Sequence, residues 1–295
     1  MIYKTISIFC VIFLLLFSQI VIAQEEVGIE SIKVTDQIYM LTGKGGNLGL
    51  FIGKDGTFLI DDQFAPLTEK IIAAIKSVGG ESPKFLINTH YHGDHTGGNE
   101  NFGKTGTLIF SHDNVRNRLL NGSFIREFNM KRDGVDPVGL PVVTFSKDIS
   151  FHLNGDTVHA IHIPHSHTDG DAIIHFRSAN VVHAGDVIFN GFYPFIDVSH
   201  GGSIKGMIAG VKKILLLSDE DTKIIPGHGP LTNIVELGNY LQMLETVYER
   251  LRKLKADGKT AQEVIEANPL ADLEEEWGDG IFTGEKWIKI IFSGV

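Results

Sequence analysis

Apolar residues recur along this 295-residue chain in three rhythms. The first is continuous: after a single cation at Lys4, nearly every position from Ile6 to Ile20 is apolar, and Val21-Ile22-Ala23 follows. That layout predicts a secretory leader over residues 1–23, cleaved after Ala23. A retained N-terminal anchor is the alternative, since the run is close to the lower limit for a membrane span. The second rhythm is one of short apolar runs broken by glycine, which predicts strands. These are Ile38 to Thr42, Leu48 to Ile52, Thr57 to Ile60, Phe85 to Asn88, Thr107 to Phe110, Val142 to Phe145, Ile149 to Leu153, Thr157 to Ile163, Ala172 to Phe176, Asn180 to Ala184 and Thr222 to Ile225.

The third rhythm is helical. Ile71, Ile72, Ile75 and Val78 share one face of a helix from Leu67 to Val78, which Gly79-Gly80 stops. Further helices are predicted at His112 to Leu120, Ile204 to Leu217, Asn233 to Leu254, Ala261 to Ala267 and Glu285 to Ile291. The polar, charged stretch Phe124 to Pro141, with Gly134 and Gly139, reads as an insertion loop. No Pro- or Ser-rich linker divides the rest, so residues 24–295 are expected to form one domain, exported to the periplasm or secreted.

Composition then narrows the chemistry. With 26 basic and 36 acidic residues, the chain carries a formal net charge of −10, and one of its cations lies in the leader. A chain so acidic has no general attraction to phosphate backbones, which excludes most nucleic-acid substrates. Its only cysteine, Cys10, also lies in the leader and follows Ser7-Ile8-Phe9, not a lipobox. The mature region therefore has neither a disulfide nor a thiolate ligand or nucleophile. Its chemistry must rest on nitrogen and oxygen.

Those donors are concentrated in one place. His90-Tyr91-His92-Gly93-Asp94-His95 directly follows the apolar run that ends near Asn88. Histidine and aspartate are costly to bury unless paired or bound to a metal, and alternate residues of an extended segment face the same side. His90 and His92 can thus chelate one ion. Three further motifs follow: Ser166-His167-Thr168-Asp169-Gly170-Asp171, His183-Ala184-Gly185-Asp186 and Pro226-Gly227-His228-Gly229-Pro230.

The pattern H-x-H-x-D-H, with the other three motifs in this order, resembles the metallo-β-lactamase superfamily over nearly the whole mature chain. The resemblance implies an α/β fold, a four-layer αββα sandwich. It also implies two zinc ions, with iron or manganese compatible with the carboxylate ligands. One ion would be held by His90, His92 and His167, the other by Asp94, His95 and His228, with Asp186 reaching both. All seven ligand positions are filled. Asp94 would also be catalytic, orienting the metal-activated water that attacks a substrate carbonyl. Asp171 is a candidate partner for His167, and His165 and His200 are candidates to touch substrate or order a ligand.

Substrate is less closely defined. The aromatic stretch from Phe189 to Asp197 suggests an apolar wall, with Phe189, Tyr193 and His200 as candidate substrate contacts and Tyr193 as a candidate donor to an oxyanion. Metallo-β-lactamases whose second zinc is held by cysteine carry a lysine clamp for the antibiotic carboxylate where Phe189 stands here. The Gly43 to Gly46 loop resembles the hairpin that covers their site. The expectation is an exported dinuclear zinc hydrolase acting on a small-molecule β-lactam, related cyclic amide, lactone, ester or thioester. The alternatives are a glyoxalase II-like or lactonase hydrolase without β-lactam activity, and a non-catalytic periplasmic metal-binding or maturation factor. Oligomeric state cannot be read from the chain.

Overall fold

The computed structural model describes residues 27–295; the predicted leader lies outside the described residues. One sheet holds β1 (Glu30–Lys33), β2 (Ile38–Thr42), β3 (Leu48–Gly53), β4 (Gly56–Ile60), β5 (Phe85–Ile87) and β6 (Leu108–His112) in sequence order. A hairpin of β7 (Ser123–Ile125) and β8 (Met130–Arg132) stands apart, and β9 (Val143–Phe145) then closes the first sheet beside β6. The second sheet runs β10 (Asp148–Leu153), β11 (Asp156–Ile163), β12 (Asp171–Phe176), β13 (Val181–Phe189) and β14 (Lys223–His228).

Side-chain alternation builds the layers. Within β2, Ile38 and Met40 face the second sheet while Leu41 faces outward, and β4 divides Phe58 and Ile60 from Leu59 in the same way. Val158, Ala160, Ile174, Phe176 and Ile225 complete the core between the sheets. The outward face of the first sheet is covered by α1 (Thr68–Ser77), through Ile71 and Ile75, and by Phe102 of α3 (Asn99–Lys104). A one-turn helix, α2 (Gly93–Thr96), precedes α3, and α4 (Asp113–Asn121) follows β6. On the far face of the second sheet lie α5 (Ile204–Leu217), α6 (Ile234–Ala256), α7 (Ala261–Ala267), the short α8 (Glu274–Trp277) and α9 (Gly284–Ile291). Two sheets between two helical layers make the expected αββα sandwich. Among the described residues, no helix is long and apolar enough to cross a membrane.

The structure departs from the sequence reading in two places that matter to the site. The strand expected over Asn180 to Ala184 continues to Phe189, because a bulge at Gly185 (φ +50°) lets the chain turn Asp186 inward without ending the ladder with β14. The expected insertion loop is not structureless: β7 and β8 pair within it, and a 3-10 turn at Arg126–Phe128 joins them.

Candidate metal centre

The candidate ligands lie where loops leave strand ends on one side of the sandwich. The parallel strand β5 ends at Ile87, and the next residues carry His90 and His92 into α2, which presents Asp94 and His95. His167 lies between β11 and β12, Asp186 beside the β13 bulge, and His228 at the end of β14. The fold brings together all seven side chains expected as ligands. They fall into two groups whose donor atoms lie within 4.8 Å of one another: His90, His92, His167 and Asp186, and Asp94, His95 and His228.

Asp186 sits between them. Its Oδ2 is 3.7 Å from His90 Nε2, 3.4 Å from His167 Nε2 and 3.4 Å from His228 Nε2, while Oδ1 is 3.1 Å from His95 Nε2. Asp94 Oδ2 completes the second group at 3.3 Å from His228 Nε2 and 3.5 Å from His95 Nε2.

The outer nitrogens of four rings are held by hydrogen bonds that orient them. His92 donates through Nε2 to Asp197 (3.0 Å), His95 through Nδ1 to Asp61 (2.8 Å), and His167 through Nδ1 to the Phe195 carbonyl (2.8 Å). His90 donates to the Thr89 hydroxyl (3.1 Å), which itself donates to Asp61 (2.7 Å). Fixing the outer proton fixes the tautomer and leaves the inner nitrogen as a lone pair. Those inner atoms fit a divalent cation. His92 Nδ1 and His167 Nε2 face each other at 2.8 Å, and His90 Nε2 and Asp186 Oδ1 are buried without hydrogen-bond partners. Buried polar atoms in that condition call for a partner the polypeptide does not supply.

Electrostatics agree. Burial pushes the His90 imidazole well down and that of His92 down to about 4, so both are neutral donors. Burial opposes ionisation of Asp94 and Asp186, yet the neighbouring imidazoles, His95 foremost, hold both carboxylates ionised. Burial likewise opposes charge on His95 and His228, but the carboxylates override it. His95 is pushed well up and His228 to about 9, chiefly by Asp186. Protons there occupy the place a metal cation would take.

Several supporting residues escaped the sequence reading. Asp61 directly follows β4 in a left-handed conformation (φ 60°) and is fully buried, so it serves His95 and Thr89 from beneath. Asp197, also fully buried, accepts from His92, Tyr91 (2.5 Å) and His200 (2.8 Å). Asn47 ties the Gly43–Gly46 turn to the His228 loop through Pro226 O and Gly229 O. The available signal was an acidic pair, Asp61-Asp62, directly after an apolar strand, where two carboxylates have no packing role.

Other candidates are placed differently from expectation. Tyr193 is fully buried with its ring stacked on Trp287 at 4.6 Å; it does not line the cavity at the metal groups and is not positioned to donate to an oxyanion there. His200 does not line that cavity either: it orders a ligand through Asp197. His165 bonds the Gly201 carbonyl. Asp171 holds the backbone and hydroxyl of Thr168 and not the His167 ring, so it shapes the turn that carries His167. Phe189 does line the cavity, stacked on His228 at 5.0 Å.

That cavity encloses about 530 Å³ over Asp94, Asp186 and His228, and its walls are largely apolar. Phe64, Phe189, Phe195 and Ile281 contribute from the sandwich, and Ile125, Phe128 and Met130 from the β7–β8 hairpin.

Residues 41–228 match the family model described as the metallo-beta-lactamase superfamily. The chain belongs to that superfamily, and its class is that of a metal-dependent hydrolase. A probable metallo-hydrolase, YqgX of Bacillus subtilis, is 30% identical over 186 residues, spanning 60% of this chain and 86% of that protein. A hydroxyacylglutathione hydrolase of Polaromonas is 28% identical over 170 residues, or 57% of each chain. Among solved structures, a metallo-beta-lactamase from Pontibacter korlensis superposes with a TM-score of 0.60 at 18% identity, over 74% of this chain and 99% of the other. DIM-1 metallo-beta-lactamase gives 0.60 at 18% identity, over 75% and 100%. At that identity the likeness is one of fold.

Proposed function

We propose that this protein is an exported dinuclear zinc hydrolase that cleaves the acyl bond of a small carbonyl substrate, a β-lactam or related cyclic amide, lactone, ester or thioester. The observation that carries the reading is the position of Asp186 at the floor of an apolar cavity, its Oδ2 set among His90, His167 and His228 and its Oδ1 facing His95, so that one carboxylate reaches both imidazole groups. A carboxylate so placed is suited to bridge a metal pair. His90, His92 and His167 would hold one ion, and Asp94, His95 and His228 the other. Imidazole-rich donors without thiolate favour zinc, and the carboxylates also admit iron or manganese. Bound there, the ions supply Lewis acidity and an activated water near neutral pH.

The chain's own residues do the rest. Asp94, partly open to the cavity and kept ionised by His95 and His228, accepts a proton at Oδ2 and delivers it to the leaving group. The apolar walls hold the acyl or leaving-group portion and keep bulk water from screening the charges at the cavity floor.

The Polaromonas relative favours a second reading, a thioester hydrolase, which shares every step above and differs only in leaving group. The test is hydrolysis by the chain from Gln24 onward, reconstituted with two equivalents of zinc, on matched β-lactam, lactone and thioester panels with and without chelator. Chelator-sensitive turnover of any panel is the expected result. Stoichiometric metal binding with no turnover on any of them would favour a metal-binding or maturation factor.

A further inference from the structure

The β7–β8 hairpin does more than roof the cavity. Its last residue, Arg132, lines the cavity and lays its guanidinium over Gly93, between the ligands His92 and Asp94; a methyl group at Gly93 would stand 2.8 Å from Cζ. One nitrogen, Nη1, donates to the Tyr91 carbonyl at 3.1 Å. Among the described residues no carboxylate lies within ion-pair distance of Arg132, whereas its neighbour Lys131, which also reaches the cavity lining, is exposed and paired with Asp133 at 2.8 Å. Burial draws the Arg132 guanidinium below its usual range, against the opposing field of Asp94. A partly dehydrated guanidinium with unused donors, in a cavity whose lining is otherwise mostly apolar, is suited to an anionic group on a ligand. Around it, Phe128 (45% exposed), Met130 (42%) and Ile281 (48%) present large apolar surfaces to solvent at the rim.

We infer that Arg132 and the β7–β8 hairpin select the substrate: an acyl compound with an apolar body and an anionic group at a distance from the scissile carbonyl, the anion seated on Arg132 and the apolar part against Phe128 and Met130. This inference rests on the hydrolase reading above and specifies its substrate class. Arg132 acts here as a specificity residue, at a position in the fold different from that of Phe189.

The test measures binding separately from turnover. Phenylalkyl sulfonates, poor zinc ligands, and the corresponding methyl sulfones are titrated by calorimetry into the zinc-reconstituted protein and into Arg132→Met, Arg132→Lys, Lys131→Met and Phe128→Ala. The native protein should bind the sulfonate more tightly than the sulfone. Arg132→Met should weaken the sulfonate roughly 10- to 100-fold, the range for charge-assisted hydrogen bonds, and leave the sulfone unchanged. Arg132→Lys should keep part of the preference, Lys131→Met all of it, and Phe128→Ala should weaken both ligands alike. Equal binding of the pair by the native protein, or equal losses for both in Arg132→Met with an unchanged melting temperature, would overturn the inference. Should Arg132→Met not fold, the native sulfonate preference and its reduction in Arg132→Lys decide the matter. Hydrolysis of the substrate panels without sulfonate preference would refute the anion seat and spare the hydrolase; sulfonate preference without hydrolysis would do the reverse.

Discussion

Replacing Asp197 with asparagine tests whether the metal groups are set by the layer behind them. Asp197 touches no expected ligand position except through His92, yet it is fully buried and accepts from His92 Nε2 (3.0 Å), Tyr91 (2.5 Å), the His200 ring (2.8 Å), Ser199 (2.8 Å) and the His200 amide (3.1 Å). Burial opposes its charge, and the His200 and His92 bonds hold its carboxyl far below the usual range. The substituted amide would keep the volume but turn an NH₂ toward donors. The His92 ring then loses the acceptor that fixes its Nε2 proton, and its Nδ1 lone pair is no longer reserved for the cluster. Removal of such an outer partner typically weakens metal affinity by about 10- to 100-fold. The stability cost of leaving a buried ionic network half-paired is about 3 kcal/mol. Competition with a chromophoric chelator gives the two affinities separately, and urea unfolding of the metal-free protein gives the stability. The expected result is selective loss at the His90–His92–His167 group, with the Asp94–His95–His228 group within threefold of native. Unchanged affinity at both groups alongside a loss of stability would refute the reasoning and make Asp197 a packing residue only.

Three other outcomes follow from specific contacts. Gly46→Ala would set a methyl carbon 2.0 Å from His95 Cε1 and 2.3 Å from Nε2, so the variant should fold but bind one metal equivalent fewer; two full equivalents by elemental analysis would contradict this. Phe189→Lys, which would restore a cation where related β-lactamases carry one, buries an ammonium beside His228 in a position 1% exposed. It should cost about 3–5 kcal/mol and lower turnover, and a gain in β-lactam affinity at native stability would show this wrong. Burial lowers the His183 imidazole to about 4 from an unfolded value near 6.5. Between those values the unfolded chain binds the extra proton, so this contribution is complete above pH 6.5. It is lost as pH falls toward 4, on the order of 3 kcal/mol. Urea midpoints for His183→Gln across pH 4–7 should therefore fall less steeply than those of the native chain; parallel curves would exclude the effect.

The clustering of the candidate ligands was legible because chelation needs particular atoms at short spacings, and His90-x-His92-x-Asp94-His95 writes those spacings along the chain. Helix α5 was legible in place and approximate extent, because one apolar stripe and a Ser203 cap define it locally. What stayed hidden depends on distance in space. Asp61 and Asp197 lie 34 and 105 residues from the rings they hold, with no periodicity linking them. Tyr193 stands in an aromatic run that looks like a cavity wall, but tertiary packing against α9 turned it away from the cavity. The hairpin was hidden for another reason: its strands are three residues each, too short for either apolar rhythm to register them.

The division of the ligands between the two sheets gives the metal site a mechanical role. Past Cys10 the chain has no cysteine, so no disulfide can tie its distant parts together. Metal held by the two candidate ligand groups would tie them instead. His92 and His167 stand 75 residues apart and His95 and His228 stand 133 apart, so each ion would close a long loop and fasten the two half-sandwiches at one seam. Such a protein is a stapled one whose staples are exchangeable. Its resistance to heat and proteolysis would rise and fall with the metal available to it, and removing that metal would loosen the seam in the same act that silences the chemistry.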